Sequence, residues 1–267
     1  MTPPTQGTSW VLPIVSLWRR ELVRFVRQRS RIVGALGTPI VFWVLIGSGL
    51  GSSFRLTGDG VAREMNYLEY SFPGTIVLIV LFTAIFSTIS IIEDRREGFL
   101  QSVLAAPIER SAIVLGKVLG SATLAVGQAM LFVVVMAWAA GISLTVGAVI
   151  ASLGILIILS IALSALGFLI AWPMDSTQGF HAIMNLFLVP MWLLSGAFFP
   201  ASGASDWMGW VIRLNPLTYG VTALRRALYW GSQPDAAAGE MATAVVVTIV
   251  FAVVTVALAV RSVRQVE

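Results

Sequence analysis

The sequence predicts an all-α polytopic membrane protein with six transmembrane helices. Of its 267 residues, 57% are hydrophobic and only 11% are charged, and the mean hydropathy is +0.89. Soluble domains carry about 25% charged residues, so this chain could not cover a water-facing surface with polar groups. Six apolar stretches also reach the length of about 20 residues that a helix needs to cross a bilayer.

The six predicted spans leave short connections and no separate soluble domain, so residues 1–267 are interpreted as one transmembrane domain. The spans are residues 32–52, 71–92, 112–140, 144–171, 180–199 and 241–260. With six spans, both termini lie on one side, and that side holds twelve Lys and Arg residues against five on the other. Because cytoplasmic loops are enriched in Lys and Arg, we expect both termini in the cytoplasm, with the protein in the inner or plasma membrane of the cell.

Residues 13–31 predict an amphipathic helix that precedes the first span. At 100° per residue, Trp18 and Leu22 fall on one face. This pattern is typical of a helix in the headgroup layer, with its cations toward lipid phosphates. A simple positively charged anchor for the first span is the alternative. Four arginines fall on the polar face: Arg20, Arg24, Arg27 and Arg31.

A charged loop, residues 93–110, follows the second span directly. Phe99, Leu100 and Leu104 recur at helical spacing and Pro107 ends the run. The acidic residues before them suit a helix N-terminus. The loop therefore predicts a short amphipathic helix on the cytoplasmic face, although a plain solvated loop would have a similar composition.

Residues 200–230 are too interrupted by proline and glycine to form a span. The pieces 204–213 and 217–230 have the length of interfacial or re-entrant helices. Their tryptophans suit the aromatic belt of the outer membrane surface, and a plain interfacial loop is the alternative. Three arginines here are expected to reach outer phosphates: Arg213, Arg225 and Arg226.

No catalytic or metal-binding cluster is visible. The chain has no cysteine and one histidine, which excludes disulfides and thiolate metal sites. Gly116-Lys117 fails as a phosphate-binding loop, because Ser111 and Val118 stand where glycine and Ser/Thr are required. Lys117 is instead expected to extend to the membrane boundary, and Gly116 and Gly120 form a small pair that could pack helices. We expect neither an enzyme nor a cofactor in this chain.

Two stretches resemble the ABC type-2 exporter permeases. The first is Glu93-Asp94-Arg95-Arg96-Glu97-Gly98 with its continuation to Pro107-Ile108, followed by Arg110-Ser111 and Gly116-Lys117. The second is Asn215-Pro216-Leu217-Thr218-Tyr219, followed by Arg225 and Arg226. The six-span layout agrees as well. One departure is Phe99-Leu100-Gln101, where many members of the family have Thr-Leu-Glu.

The resemblance implies that loop 93–110 is a coupling helix for a separate soluble ATPase, and that region 200–230 closes the path from outside. The implied ATPase-contacting residues are Glu93, Arg95, Arg96, Glu97, Gly98, Phe99, Leu100, Leu104 and Pro107. The implied outer-gate residues are Asn215, Pro216, Tyr219 and Arg225.

The resemblance also implies partners. Two ATPase subunits would carry ATP and Mg, and the permease would act as a homodimer or with a similar permease among membrane lipids, without nucleic acid. The expected cargo is an amphipathic or hydrophobic molecule, a lipid or a lipid-linked glycan. The alternatives are a secondary, ion-coupled carrier or a membrane assembly factor. A carrier would be expected to place ionisable groups inside its spans, and the predicted spans contain almost none.

Overall fold

The computed structural model describes residues 10–50, 67–139, 141, 144–198, 205–229 and 238–264, apart from the side chains of 50 and 238. Within these ranges the chain forms ten α-helices and no β-strand. They are α1 (Val11–Arg27), α2 (Arg29–Leu50), α3 (Tyr67–Arg96), α4 (Phe99–Ala105), α5 (Arg110–Ala139), α6 (Val146–Ala171), α7 (Thr177–Trp192), α8 (Asp206–Leu214), α9 (Pro216–Leu228) and α10 (Ala238–Arg264).

The prediction of six membrane-spanning helices in an all-helical chain is confirmed. In the described ranges, the helices long and apolar enough to cross a bilayer are α2, α3, α5, α6, α7 and α10. Their bounds lie within a few residues of the predicted spans, because each predicted run is set by apolar residues that the helix buries or exposes to lipid. The predicted ends at residues 52, 140 and 199 lie outside the described residues, as do residues 200–204 of the predicted outer region.

Helix α3 forms the centre of the bundle. Within the apolar window of α3, a stretch of 18 residues, 89% is buried inside the bundle, whereas the corresponding windows of α2 and α10 are only 22% and 28% buried. Helices α2, α5, α6, α7 and α9 all pack against α3. Phe72, Ile76 and Ile79 of α3 are fully enclosed. Helix α3 is thus the core element, while α2 and α10 leave wide apolar faces uncovered.

Helix α1 lies directly against α5, at the two glycines that the sequence singled out. A Cβ at Gly116 would lie 2.7 Å from the Cβ of Leu17, and one at Gly120 would lie 2.7 Å from the Cβ of Glu21. The absence of side chains therefore permits the close approach. The glycine pair does pack helices, but its partner is the N-terminal helix rather than another span.

A single non-helical residue separates α1 from α2. Gln28, with φ −96° and ψ 79°, ends α1, and α2 begins at Arg29. The predicted interfacial helix 13–31 therefore ends four residues early. Its buried face consists of Leu17, Glu21 and Phe25, which recur every four residues.

The end of α7 is irregular. Residues Leu193–Ala197 form a wide turn in which Gly196 takes a left-handed conformation, φ 73°. This segment packs so closely on α3 that a Cβ at Gly74 would lie 2.6 Å from the carbonyl oxygen of Ala197. Two short helices, α8 and α9, follow in the region predicted to contain them. Their entry into a membrane from the outer side stays a prediction.

Candidate functional site

One end of the bundle carries most of its ion pairs, and we call it the charged end. It contains α1, the last turn of α3, the short helix α4 and the loop 172–176 between α6 and α7. The predicted ATPase-contacting residues all lie at this end, and the predicted outer-gate residues lie at the opposite one.

Asp94 is the centre of the charged end and is fully buried. Arg20 donates two hydrogen bonds to its carboxylate, at 2.7 and 2.5 Å. Arg24 donates a third, at 2.5 Å, and Lys117 binds the same carboxylate. Charge-assisted bonds of this kind are the stronger class of hydrogen bond. The bonds from Arg20 to Asp94 raise the pKa of Arg20 above its ordinary value, against the lowering effect of burial.

Lys117 connects this carboxylate to α1. Its ammonium group donates to Glu21 at 2.6 Å and to Ser90 at 3.2 Å, and Ser90 donates to Glu21 at 2.7 Å. The side chains of Lys117 and Glu21 are 4% and 3% exposed. The prediction that Lys117 extends to the membrane boundary is therefore wrong, since two carboxylates lie within reach inside the chain.

Glu93 completes the cluster on its exposed side. Arg24 reaches it at 2.7 Å and Arg31 at 2.5 Å. The expectation that Arg20, Arg24 and Arg31 point to lipid phosphates is corrected here, because carboxylates of α3 occupy their guanidinium groups. Arg27 alone of the four is exposed.

Trp18 is likewise held within the chain, because its indole donates to Thr123 of α5 at 3.0 Å. We call the seven residues Arg20, Glu21, Arg24, Arg31, Glu93, Asp94 and Lys117 the ion cluster.

The position of Glu93 and Asp94 in the chain explains why so many cations converge on them. The sequence placed these residues at a helix N-terminus, but they lie in the last turns of α3, which ends at Arg96. The helix dipole is negative at this end and disfavours carboxylates. Three arginines and one lysine offset both that effect and the cost of burial.

Arg95 and Arg96 join α3 to the loop after α6. Arg95 donates to the carbonyls of Trp172 and Met174, the latter at 3.1 Å, and to the Asp175 carboxylate at 3.2 Å. Arg96 donates to the carbonyl of Asp175 at 2.9 Å. The predicted span 144–171 ends at the same residue as α6, Ala171. Asp175 holds the last turn of α3 through its carboxylate and its carbonyl.

Helix α4 follows a left-handed Gly98, φ 75°, which turns the chain sharply after α3. Leu100 is 4% exposed and is packed within the chain, and the guanidinium of Arg20 lies 3.6 Å from the centre of the Phe99 ring. The assignment of Leu100 to an ATPase groove is therefore corrected: the helix turns this residue inward, onto the chain's own core.

Four exposed residues of α4 and its flanks lie on one face, which we call the outer face of α4: Glu97, Gln101, Leu104 and Ala105. Ser102 is exposed as well, but it lines the groove between α4 and α1. Leu104 is 39% exposed. Pro107 is exposed beyond the end of the helix. The face is polar at one end and apolar at the other.

A shallow, mostly apolar groove of about 350 Å³ separates α1 from α4. Its lining residues are Leu12, Pro13, Ser16, Leu17, Ser102, Val103, Ala106 and Ile108. The charged end therefore presents a concave groove beside the exposed outer face of α4.

Among the described residues no cluster of three or more His, Asp or Glu side chains could hold a metal ion.

The predicted outer-gate residues are brought together at the opposite end, around the start of α9. The Asn215 side chain accepts from the amide of Leu217 at 3.0 Å and donates to the carbonyl of Met191 at 2.6 Å. Pro216 occupies the first helical turn, where its missing N–H is not needed. Tyr219 donates to the carbonyl of Arg213 at 2.9 Å.

Arg225 points into the bundle rather than to outer phosphates. It donates to the carbonyl of Gly196 at 2.8 Å, and its guanidinium lies 4.4 Å from the centre of the Tyr70 ring. Arg226 pairs with Glu240. Arg213 is exposed, and its contact with outer phosphates stays a prediction. The expectation for Arg225 and Arg226 is thus corrected, because partners inside the chain satisfy both side chains.

The pairing among Glu21, Asp94 and Lys117 was not predicted, although the sequence contains two signals of it. Glu21 lies four residues from both Leu17 and Phe25, on the buried face of α1, and Lys117 is the only lysine of the chain. A buried carboxylate requires a cation, so each of these residues indicated the need for the other.

The sequence profile of the family described as ABC-2 type transporter matches residues 13–229. The chain is 26% identical to Nodulation protein J of Sinorhizobium fredii, over 84% of this chain and 83% of that one. It is 25% identical to the transport permease ycf38 of Cyanophora paradoxa, over 78% and 71%. It is 21% identical to the daunorubicin resistance ABC transporter permease protein DrrB1 of Streptomyces coeruleorubidus, over 85% and 78%. With its six apolar spans, the chain belongs to the ABC-2 type transporter family, as a multi-pass membrane permease of ABC transporters.

Proposed function

We propose that this chain is the membrane-spanning subunit of an ATP-driven exporter, and that a separate ATPase docks on the outer face of α4. The observation that carries the proposal is the combination of an exposed outer face with a buried inner one. Glu97, Gln101 and Leu104 are open to a partner, while Leu100 anchors the same short helix to the core. If the ATPase displaces the outer face of such a helix, the buried inner face transmits the displacement to the core of the permease.

The ion cluster supports a specific route by which a displacement of α4 reaches the spans. Arg20 contacts Phe99 of α4 and binds Asp94 of α3, and Lys117 of α5 binds the same carboxylate. A displacement of α4 would therefore move α1, α3 and α5 together. ATP binding to the ATPase pair would supply the motion, and the spans would open toward the opposite end.

We infer the orientation in the membrane from the distribution of charge. The charged end holds most of the arginines, and the positive-inside tendency supports its placement in the cytoplasm, together with both termini. The membrane is then the inner or plasma membrane. Two copies of the chain, or one copy and a similar permease, would work with two ATPase subunits that bind ATP and Mg.

The cargo class proposed is an amphipathic or hydrophobic molecule, a lipid or a lipid-linked glycan. The name of one relative, a daunorubicin resistance permease, supports the export of a small organic molecule. The uncovered apolar faces of α2 and α10 are compatible with cargo that reaches the permease from within the bilayer.

An ion-coupled carrier is less well supported. Such a carrier requires ionisable groups that can exchange ions along a path. The buried charges Glu21, Asp94 and Lys117 bind one another, and they lie at the charged end rather than in the middle of the bundle.

Purification of the tagged chain from its native membranes, followed by ATPase assays in lipid nanodiscs, tests the proposal. We expect an ABC-type ATPase to co-purify and its hydrolysis to depend on the permease. Glu97→Arg and Gln101→Arg should each lower the amount of bound ATPase and the hydrolysis rate severalfold, because both residues are exposed on the outer face of α4. Gln101→Arg should leave the thermal stability of the permease unchanged, whereas Glu97→Arg, which loses a largely exposed ion pair with Arg24 at 3.6 Å, should lower it slightly.

Asp206→Arg is the matched control, since it reverses an exposed carboxylate in the first turn of α8, at the opposite end. It should leave binding and hydrolysis unchanged. If Glu97→Arg and Gln101→Arg behave like Asp206→Arg, the ATPase does not dock on α4. Transport by the purified chain in liposomes without any ATPase would refute the ATP-driven mechanism as a whole.

A further inference from the structure

Among the residues that the structure describes, α10 shares hydrogen bonds and ion pairs with other helices only at its two ends. The hydroxyls along its length bind carbonyls of α10 itself, as those of Thr243, Thr248 and Thr255 do. One polar tie lies at the charged end and the other at the opposite end. Between them, packing alone holds α10 to the bundle.

The packing surface of α10 is made largely of small residues. The helix packs chiefly on α6, and also on α9 and α5. Small residues let two helices approach closely, and packed helices can slide past each other in small shear movements. The middle of α10 therefore allows the helix to shift as one unit. Its small buried residues are Ala244, Thr248, Ala252, Thr255 and Ala259.

At the charged end, Arg110 of α5 caps the last turn of α10. Its Nη1 atom donates to the carbonyl of Val263 at 3.3 Å and to that of Arg264 at 3.5 Å. The last four carbonyls of a helix have no partner within the helix, and a cation beside them also interacts favourably with the negative end of the helix dipole. Arg110 thus supplies to α10 a cap that comes from another helix.

The position of Arg110 in the chain connects this cap to α4. Arg110 is the first residue of α5, and four residues separate it from Ala105, the last residue of α4. One of the four, Ile108, lines the groove between α1 and α4. A displacement of α4 would therefore reach Arg110 through a short connection, and the capping bonds would pass it on to α10.

At the opposite end, α10 contacts α9, the helix that carries the predicted outer-gate residues. Arg226 of α9 pairs with Glu240 in the first turn of α10, and the two helices also pack on each other. The preceding residue, Arg225, donates to the carbonyl of Gly196 in the irregular turn after α7. Helix α9 therefore joins α10 to that turn, and a shift of α10 would move both.

We propose that Arg110 is a positioning residue that makes α10 follow the connection after α4, and that α10 carries this movement to α9. The proposal rests on the proposed function, because it assumes that an ATPase displaces α4. It adds a route that does not pass through the ion cluster. The 27 residues of α10 would carry the movement over about 40 Å, at 1.5 Å per residue.

Labelling of a single cysteine on α9 tests this route, and the chain suits the method because it has no native cysteine. Thr222→Cys places the label at a half-buried position of α9. The permease is reconstituted in nanodiscs with its co-purified ATPase. The rate at which the permease reacts with a water-soluble maleimide is measured without nucleotide, and again after ATP and vanadate have trapped the ATPase. We expect trapping to change the rate severalfold, because α9 moves.

Arg110→Met should remove most of this response, whereas the amount of bound ATPase and the labelling rate without nucleotide should stay unchanged. Arg110→Lys should restore most of the response, because a lysine still offers a cation to the last carbonyls of α10. Arg261→Met is the matched control, since it removes an exposed arginine from the same last turn. The control should respond like the parent.

Glu240→Gln tests the tie at the other end of α10. It should reduce the response less than Arg110→Met does, because the Glu240 side chain is 75% exposed and exposed ion pairs are weak. In the Arg110→Met background, Glu240→Gln should have little further effect. Two changes on one route are not additive, whereas changes on separate routes would add.

Four results would overturn the proposal. They are an unchanged response in Arg110→Met, an equal loss in Arg261→Met, a raised labelling rate of Arg110→Met without nucleotide, and a rate at Thr222→Cys that trapping does not alter. The third would mean that Arg110 only holds the fold together. If the ATPase co-purifies and its hydrolysis depends on the permease, each of these results leaves its docking on α4 standing. If no ATPase binds, the proposed function fails, and the role of Arg110 fails with it.

Discussion

The two ends of the bundle are held together by different chemistry. In the ion cluster at the charged end, four cations bind three carboxylates, and the central one, Asp94, is fully buried. At the opposite end, apart from the pair Arg226–Glu240, neutral and cationic donors bind backbone carbonyls. Arg225 and Tyr70 both donate to Gly196, at 2.8 and 3.1 Å, and Trp192 donates to Gly74 at 2.7 Å.

The backbone explains the difference. The irregular turn Leu193–Ala197 leaves carbonyls without helical partners, and side-chain donors from other helices bind them, two of them at Gly196. At the charged end the acceptors are ionised carboxylates in the last turns of α3, and burial makes every missing cation costly. One end is therefore an assembly of separate bonds, and the other is a network whose members depend on each other.

Removal of one cation from each end is the most direct test of this comparison, and the larger effect is expected at the charged end. Lys117→Met leaves Glu21 without its closest cation and takes one cation from Asp94. Breaking a buried pair in this way costs about 3–5 kcal/mol. Thermal unfolding in detergent should show the loss. The double variant Glu21→Gln, Lys117→Met should recover part of it, because no carboxylate is then left unpaired at position 21; a double variant weaker than the single one would contradict the network.

Arg225→Met should have a smaller effect. It removes the bond to Gly196 and the contact with the Tyr70 ring, but it leaves a neutral carbonyl rather than a charge behind. We expect a loss of about 1.5–3 kcal/mol in the same unfolding assay. Arg213→Met, on the exposed surface of α8, is the control and should change stability little. Equal losses from Lys117→Met and Arg225→Met would remove the distinction between the two ends.

Gly116→Ala sharpens the comparison by separating packing from charge. Its new methyl group would meet Leu17 of α1 at 2.7 Å and push α1 from α5 without altering any ion pair directly. Overpacking of this kind costs about 1–3 kcal/mol. Gly127→Ala in the same helix meets nothing within 4 Å and should be neutral or slightly stabilising. Identical unfolding temperatures for the two variants would show that α1 does not need its close approach to α5.

The sequence predicted the spans well, since their positions depend on apolar runs that any bilayer-crossing helix must have. The irregular end of α7 was harder to predict from the sequence. Hydropathy continues through Leu193–Ala197 as if the helix did, whereas Gly196 turns the chain. The backbone conformation of one glycine does not alter the mean hydropathy of the apolar stretch around it.

The candidate site was proposed from its motif, but the sequence did not predict which way its side chains face. A helix as short as α4 can present Phe99 and Leu100 either inward or outward, and the choice depends on what it packs against. Likewise, Lys117 and Glu21 lie 96 residues apart. No local pattern joins two such residues; only the close approach of α1 to α5 brings them together.

Gln28 gives the N-terminal part of the molecule a pivot. On one side of it, ion pairs fix α1 to α3 and α5. On the other, Arg31 ties the first turn of α2 to Glu93 at 2.5 Å, while the apolar window of α2 is only 22% buried and rests chiefly on α3. A change in bilayer thickness that tilts α2 is then expected to be absorbed at Gln28 and the first turn of α2. The first span can thus follow the thickness of the surrounding lipid while α1 keeps its place.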